Sequence, residues 1–311
     1  MRWLPLGVMS PGVNVSRKAK RVTRSVLRYV ALGDSLTEGL GDRGFEIDRD
    51  GCGWADRLAT LFARSAAETG GIVEFANLAI RSRTSVSIFG EQVDRALGMQ
   101  PDLVTIMAGA NDLWRPGARL DVVEELVRSA VERFQRVGTR VVLANTINPV
   151  HHWAFRPGIA RSLRLSALLN RLAREYGLQL LDVHGSVSLR RQRFWADDMV
   201  HFGERGHIHV ANRAAKLLGI PYQLTVPSFD SPPRDFQTPG ELCRWLWNHV
   251  VPFTSRVLRR VTAGDGVAAK HDDYVVARAD RWPSRRVSST IERKTAETPR
   301  RSPVDELVAR A

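Results

Sequence analysis

Cysteine is nearly absent, with only Cys52 and Cys243 in 311 residues. Two thiols cannot build a disulfide framework, and neither has neighbours at metal-ligand spacing. Lone thiols of this kind fit a reducing compartment. Long apolar runs are missing too. No stretch approaches the roughly 18 residues of a membrane-spanning helix. The N-terminus offers only Trp3 to Met9, broken by Pro5 and Gly7, and the basic cluster follows it. A signal peptide has the reverse order. These absences give the expectation of a cytoplasmic protein. Acids are absent from residues 1–28, which hold seven Lys or Arg.

The hydrophobic content of 43% and charged content of 25% are ordinary, so one sizeable core is within reach. The net charge of +13 is not ordinary, but it is unevenly placed. Residues 1–28 carry +7 and residues 269–311 carry +3, leaving only +3 for the middle. The basic character therefore says little about a substrate pocket. It raises an alternative to catalysis: a binding or regulatory protein whose residues 1–28 contact nucleic acid or an anionic surface. A solvated tail is the simpler reading, and nucleic acid is not the expected partner.

Residues 1–27 are polar and basic and read as a disordered arm. From Tyr29 the chain alternates strand-like and helix-like segments. Strands are expected at Tyr29 to Leu32, Ile72 to Ala79, Leu103 to Ala108, Arg140 to Ala144 and Leu178 to Val183. Helices are expected at Trp54 to Glu68, Ser87 to Leu97, Leu120 to Val137, Ile159 to Tyr176 and Glu204 to Leu218. Gly138, Gly177 and Gly219 close three of them. Five strands, each followed by a helix, imply an α/β domain over residues 28–219. Its form is a three-layer α/β/α sandwich on a five-stranded parallel sheet. Residues 220–268 read as a helical appendage, with Glu241 to Val261 amphipathic and Pro252 inside it. Residues 269–311 are polar, mixed in charge and read as a mostly disordered tail.

In such sheets ligands sit beyond the carboxyl ends of the strands. Three sets of chemically capable residues fall there. Ser35 follows the first strand on a Gly33-Asp34-Ser35 break, where a sharp turn would hold its Oγ out of the sheet near helix N–H groups. Asp34 suits the cap of the helix that follows. Asn111 follows the third strand in Gly109-Ala-Asn-Asp112, and its amide could meet developing negative charge. Asp198-Met-Val-His201 follows the fifth strand, and a carboxylate three residues before a histidine can orient the ring. Each block alone has a mundane reading as a turn or cap. Together, in this order, they do not.

Gly33-Asp-Ser-Leu36, Gly109-Ala-Asn-Asp112 and Asp198-Met-Val-His201 resemble the blocks of the SGNH (GDSL) hydrolases, and the resemblance covers about Tyr29 to Gly219. It implies a flavodoxin-like sheet and serine ester hydrolysis, with Ser35 as nucleophile, His201 as general base and Asp198 orienting it. It also implies an oxyanion hole from the Ser35 N–H, the Asn111 amide and a further N–H after the second strand. Ser82 stands there where the family has glycine. If the backbone is left-handed at that point, a serine costs roughly 1 kcal/mol. No cofactor or metal is implied, and the expected partner is a small acyl-ester substrate. His151 and His152 lack an accompanying acid cluster and read as loop or wall residues. His152, Trp153 and Phe155 are the expected wall of the substrate pocket. Lipase, lysophospholipase and O-deacetylase subtypes stay open, and Asp112 is expected to be structural.

Overall fold

The first strand, β1 (Val26–Gly33), is buried along its second half and runs through the middle of the domain. The structure is a computed structural model that describes residues 25–43, 53–114, 119–226, 238–245, 247–248 and 262–287. β1 pairs in parallel with β2 (Ile72–Asn77) on one side and β3 (Leu103–Met107) on the other. Beyond β3 lie β4 (Arg140–Ala144) and β5 (Gln179–Leu181), also parallel. The order β5-β4-β3-β1-β2 is that of the flavodoxin-like class. β3, apolar but for Thr105, is buried at every position, as expected of a central parallel strand.

The helices cover both faces. A four-residue α1 (Ser35–Glu38) follows β1, and α2 (Trp54–Ala67) precedes β2. Between β2 and β3 the chain forms α3 (Ser85–Ser87), a π-helical stretch Ile88–Gln92 and α4 (Val93–Gly98). The sequence pattern reads this as one helix, because a single wide turn does not change which residues are apolar. The remaining helices are α5 (Leu120–Arg136), α6 (Ile159–Glu175) and α7 (Glu204–Leu218). Val123, Val127, Ala130, Val131 and Phe134 of α5 are its buried face, matching the expected amphipathic stripe.

Two expectations are corrected. The sheet has six strands, not five: β7 (His271–Val276) adds antiparallel to β2 at the edge. A second small sheet pairs β6 (Tyr222–Leu224) with β8 (Ser284–Arg286). Residues 269–287 are thus ordered, against the reading of a disordered tail from 269 onward. Their polarity is that of an edge, where one face of the strand meets water. In the appendage, α8 (Pro239–Trp245) forms and buries Trp245 beside the His152 ring, with centroids 5.0 Å apart. The arm at 1–24, the expected helix beyond residue 248 up to 261 and the tail at 288–311 lie outside the described residues. Among the described residues, no helix is long and apolar enough to cross a membrane.

Candidate active site

The turn that carries Ser35 is fixed from several sides. A carboxamide clamp holds Gly33: its N–H donates to Gln92 Oε1 and its carbonyl accepts from Gln92 Nε2, both at 2.9 Å. Gln92 ends the π-helical stretch, a device that often re-aims a side chain at a functional site. A methyl on Gly33 would sit 2.4 Å from Thr37 Oγ1 and 2.7 Å from the Met107 carbonyl, so the close approach of α1 to β3 requires glycine. Asp34 caps α1 as expected, accepting the Leu36 N–H at 3.0 Å. Ser35 then opens the helix, 8% exposed. Among the described residues its Oγ makes no hydrogen bond. Catalytic hydrogen bonds are often long before substrate arrives.

Asp34 also reaches Asn111. The Asn111 amide donates to Asp34 Oδ2 at 3.2 Å and to the Arg83 carbonyl at 3.0 Å. Its hydrogens are therefore turned toward the serine turn and the β2 loop at once. Burial pushes the Asp34 carboxyl up to about 7, aided by nearby Asp112 and opposed by the Leu36 N–H and the charge of His201. Asp112 is buried and structural, as expected: its Oδ2 accepts from the Ser85 N–H at 2.9 Å and from Ser85 Oγ at 3.1 Å. It ties the start of α3 to the β3 loop.

The β2 loop contains the turn Ile80 to Arg83, closed by the Arg83 N–H on the Ile80 carbonyl at 3.4 Å. Ser82, its third residue, has φ +63°. A turn of this kind needs a left-handed residue there, and glycine supplies it most cheaply. The Ser82 N–H has no acceptor among the described residues. The preceding Arg81 is bound by Glu38 at the end of α1, through its N–H at 2.7 Å and its guanidinium at 2.7 Å. The Glu38 side chain is fully buried. Sequence reading missed it because an acid at the end of a short helix carries no signal of a distant partner.

The acid–histidine pair forms as the spacing predicts. His201 Nδ1 lies 2.5 Å from Asp198 Oδ2. Asp198 Oδ1 accepts the Val200 and His201 N–H groups at 2.9 and 3.0 Å. Burial alone would raise this carboxyl, but the His201 ring and the two N–H groups outweigh it and hold it well below the usual carboxylate range. Met199 in the same turn has φ +58°. The pair packs on the chain just after α1: a methyl on Gly41 would sit 2.9 Å from His201 Cβ.

The loop after β4 supports that turn. His151 Nε2 donates to the Met199 carbonyl at 2.8 Å, and its ring stacks on Trp195 with centroids 3.7 Å apart and planes 5° apart. Burial lowers His151 to about 4, so the ring is neutral at ordinary pH. The expected pocket residues divide. His152 is buried, with its ring 5.5 Å from that of Phe155, while Trp153 is 54% exposed. A cavity of about 250 Å³ lies one residue from Asn111. Its walls are Asp112, Leu113, Leu120, Val123, Arg161, Arg164 and Leu165, not His152, Trp153 or Phe155. Among the described residues, no group of three or more His, Cys, Asp or Glu could hold a metal ion.

Solved structures of similar fold include an acetylxylan esterase and an alpha/beta hydrolase enzyme. An acetylxylan esterase, Axe2 of Geobacillus stearothermophilus, superposes with a TM-score of 0.53 at 20% identity, over 63% of this chain and 95% of its own. LAE5, an alpha/beta hydrolase enzyme from the metagenome of Lake Arreo, superposes with a TM-score of 0.53 at 23% identity, over 63% of this chain and 97% of its own. At these identities the likeness is one of fold. No curated protein is similar enough in sequence to count as a relative. The sequence of residues 31–208 matches the family described as GDSL-like Lipase/Acylhydrolase, and these residues span every element of the site from β1 to the start of α7. The chain belongs to the GDSL-like lipase/acylhydrolase family.

Proposed function

We propose that this protein hydrolyses carboxylic esters through an acyl-enzyme on Ser35. The observation that supports the reading most directly is the His201–Asp198 contact, in a turn that packs on Gly41 just after α1. Asp198 accepts the Nδ1 hydrogen and leaves Nε2 as the base. His201 takes the Ser35 proton as Oγ attacks the ester carbonyl, then protonates the leaving alkoxide. Water repeats the cycle on the acyl-enzyme. The low-lying Asp198 carboxylate supports the imidazolium that forms in each half. The oxyanion is met by the N–H groups of Ser35 and Ser82 and by the Asn111 amide, which gives up its hold on Asp34 or Arg83 to do so. The acetylxylan esterases of similar fold favour a short acyl group on a carbohydrate alcohol as the first substrate class to test.

The test is hydrolysis of p-nitrophenyl acetate, butyrate and octanoate by the parent protein and by Ser35→Ala. Turnover of the acetate ester, lost in a folded Ser35→Ala, is the expected result. A parent that hydrolyses none of the three contradicts the reading. A steep preference for octanoate would replace the short-acyl class with a lipid one.

A further inference from the structure

The chain beyond the matched family residues returns to the site. The turn at 262–266 is built on Thr262, whose N–H and Oγ1 both donate to the Asp265 carboxylate at 2.7 Å. Gly264 in this turn is buried against the β2 loop. A methyl there would sit 2.1 Å from the Arg81 carbonyl oxygen and 3.3 Å from Ile80 Cγ2. Six residues on, Lys270 is buried, and its Nζ donates to the Glu38 carbonyl at 2.7 Å and to Asp56 Oδ2 at 2.8 Å. β7 then pairs with β2, the strand that leads into the Ser82 turn.

These contacts converge on one peptide. The carbonyl of Arg81 faces Gly264. In a trans peptide the C=O and N–H point in opposite directions, and no cis peptide occurs among the described residues. The Ser82 N–H therefore points away from the C-terminal segment. Glu38 grips Arg81 from α1, and Lys270 grips Glu38. Ser82 holds φ +63° without the glycine that this backbone favours, so surrounding contacts must hold the turn in place.

Resting on the ester-hydrolase reading above, we infer that residues 262–276 are a clamp that holds the Arg81–Ser82 peptide with its N–H aimed as an oxyanion donor. Gly264 and Lys270 are its positioning residues. The clamp substitutes for the glycine that this chain lacks at position 82.

The test compares Gly264→Ala, Lys270→Met and Gly264→Ala/Ser82→Gly with the full-length parent. The readouts are kcat, KM, the affinity of an alkylboronic acid that forms a tetrahedral adduct with serine, and hydrogen exchange at residues 80–84. Each variant is first matched to the parent by circular dichroism. The expected result for either single variant is a kcat at least tenfold lower, with KM within threefold and boronate affinity reduced in step with kcat. A single missing oxyanion donor lowers kcat by roughly 10²–10³-fold, which sets the upper limit. Exchange at residues 80–84 is expected to speed up, and Ser82→Gly to recover at least part of the Gly264→Ala loss. Folded Gly264→Ala and Lys270→Met with parental kcat and boronate affinity would overturn the clamp. If the parent itself hydrolyses no ester, the function reading fails. The clamp is then decided by exchange: faster exchange at 80–84 in both variants upholds it, and unchanged exchange overturns it.

Discussion

Two loops carry candidate site residues, and each holds a non-glycine residue in left-handed backbone: Ser82 at φ +63° and Met199 at φ +58°. They are held by different physics. The Ser82 loop is pinned by charge, through buried Glu38 on Arg81, with Lys270 and Asp56 behind it. The Met199 turn is pinned by rings, with His151 stacked on Trp195 and Trp195 packed 5.0 Å from Phe202. From the loop after β4, His151 adds a hydrogen bond to the Met199 carbonyl. The difference follows from position. The Ser82 loop lies beside the sheet edge, where only a returning strand can close over it. The Met199 turn lies over the end of the sheet, where loops from two strands already crowd together.

The comparison breaks most sharply at the acid–base pair. His201→Ala should lower kcat by at least about a thousandfold, because the base has no substitute in the ring-held turn. Ester turnover by the folded variant at a tenth of the parental rate would contradict this. Next in size is the charge-held loop. Glu38→Gln leaves the half-buried Arg81 guanidinium facing a neutral amide. A stability loss of about 3 kcal/mol is expected, as for buried pairs that lose one partner. Urea unfolding measures it, and a loss under about 1 kcal/mol would mean that Lys270 and the β-turn hold the loop without Glu38.

His151→Phe keeps a ring on Trp195 but removes the hydrogen bond to Met199. A fall in kcat of about tenfold, with stability changed by about 1 kcal/mol, is expected for one neutral hydrogen bond acting through position. An unchanged kcat would mean that stacking alone sets the turn. The rings also predict a pH dependence. Burial lowers His151, His207 and His209 each to about 4. A histidine depressed in the fold binds fewer protons there than in the unfolded chain between pH 6.5 and 4. Stability is therefore full above about pH 6.5 and is lost as pH falls toward 4. A flat Tm across that window would contradict neutral burial. The smallest effect belongs to Ser82→Gly, which relieves left-handed strain and should stabilise by about 1 kcal/mol.

Much of this was legible in the sequence. β4 and α7 have the bounds that apolar periodicity predicts, the first two blocks directly follow β1 and β3, and the third lies between β5 and α7. The Asp198–His201 contact was legible because its spacing is local. The edge strand β7 was not, since His271-Asp272-Asp273 reads as solvated chain and only Tyr274 to Val276 carries strand character. Lys270 was illegible for a related reason: a lysine in a polar tail looks exposed until a carboxylate and a helix end surround it. Gly264 gave no signal either, because its role is to have no side chain where another loop's carbonyl arrives. Contacts between segments more than 180 residues apart leave no periodicity to read.

The central claim is that Ser35 is a nucleophile made reactive by His201. A fluorophosphonate reacts with an activated serine by displacement of fluoride, leaving a stable adduct. Intact mass followed by peptide mapping of the labelled protein is therefore the most direct test. The account predicts one adduct, on Ser35, formed at least a hundredfold more slowly in His201→Ala. No adduct on Ser35, or equal labelling with and without His201, would contradict it.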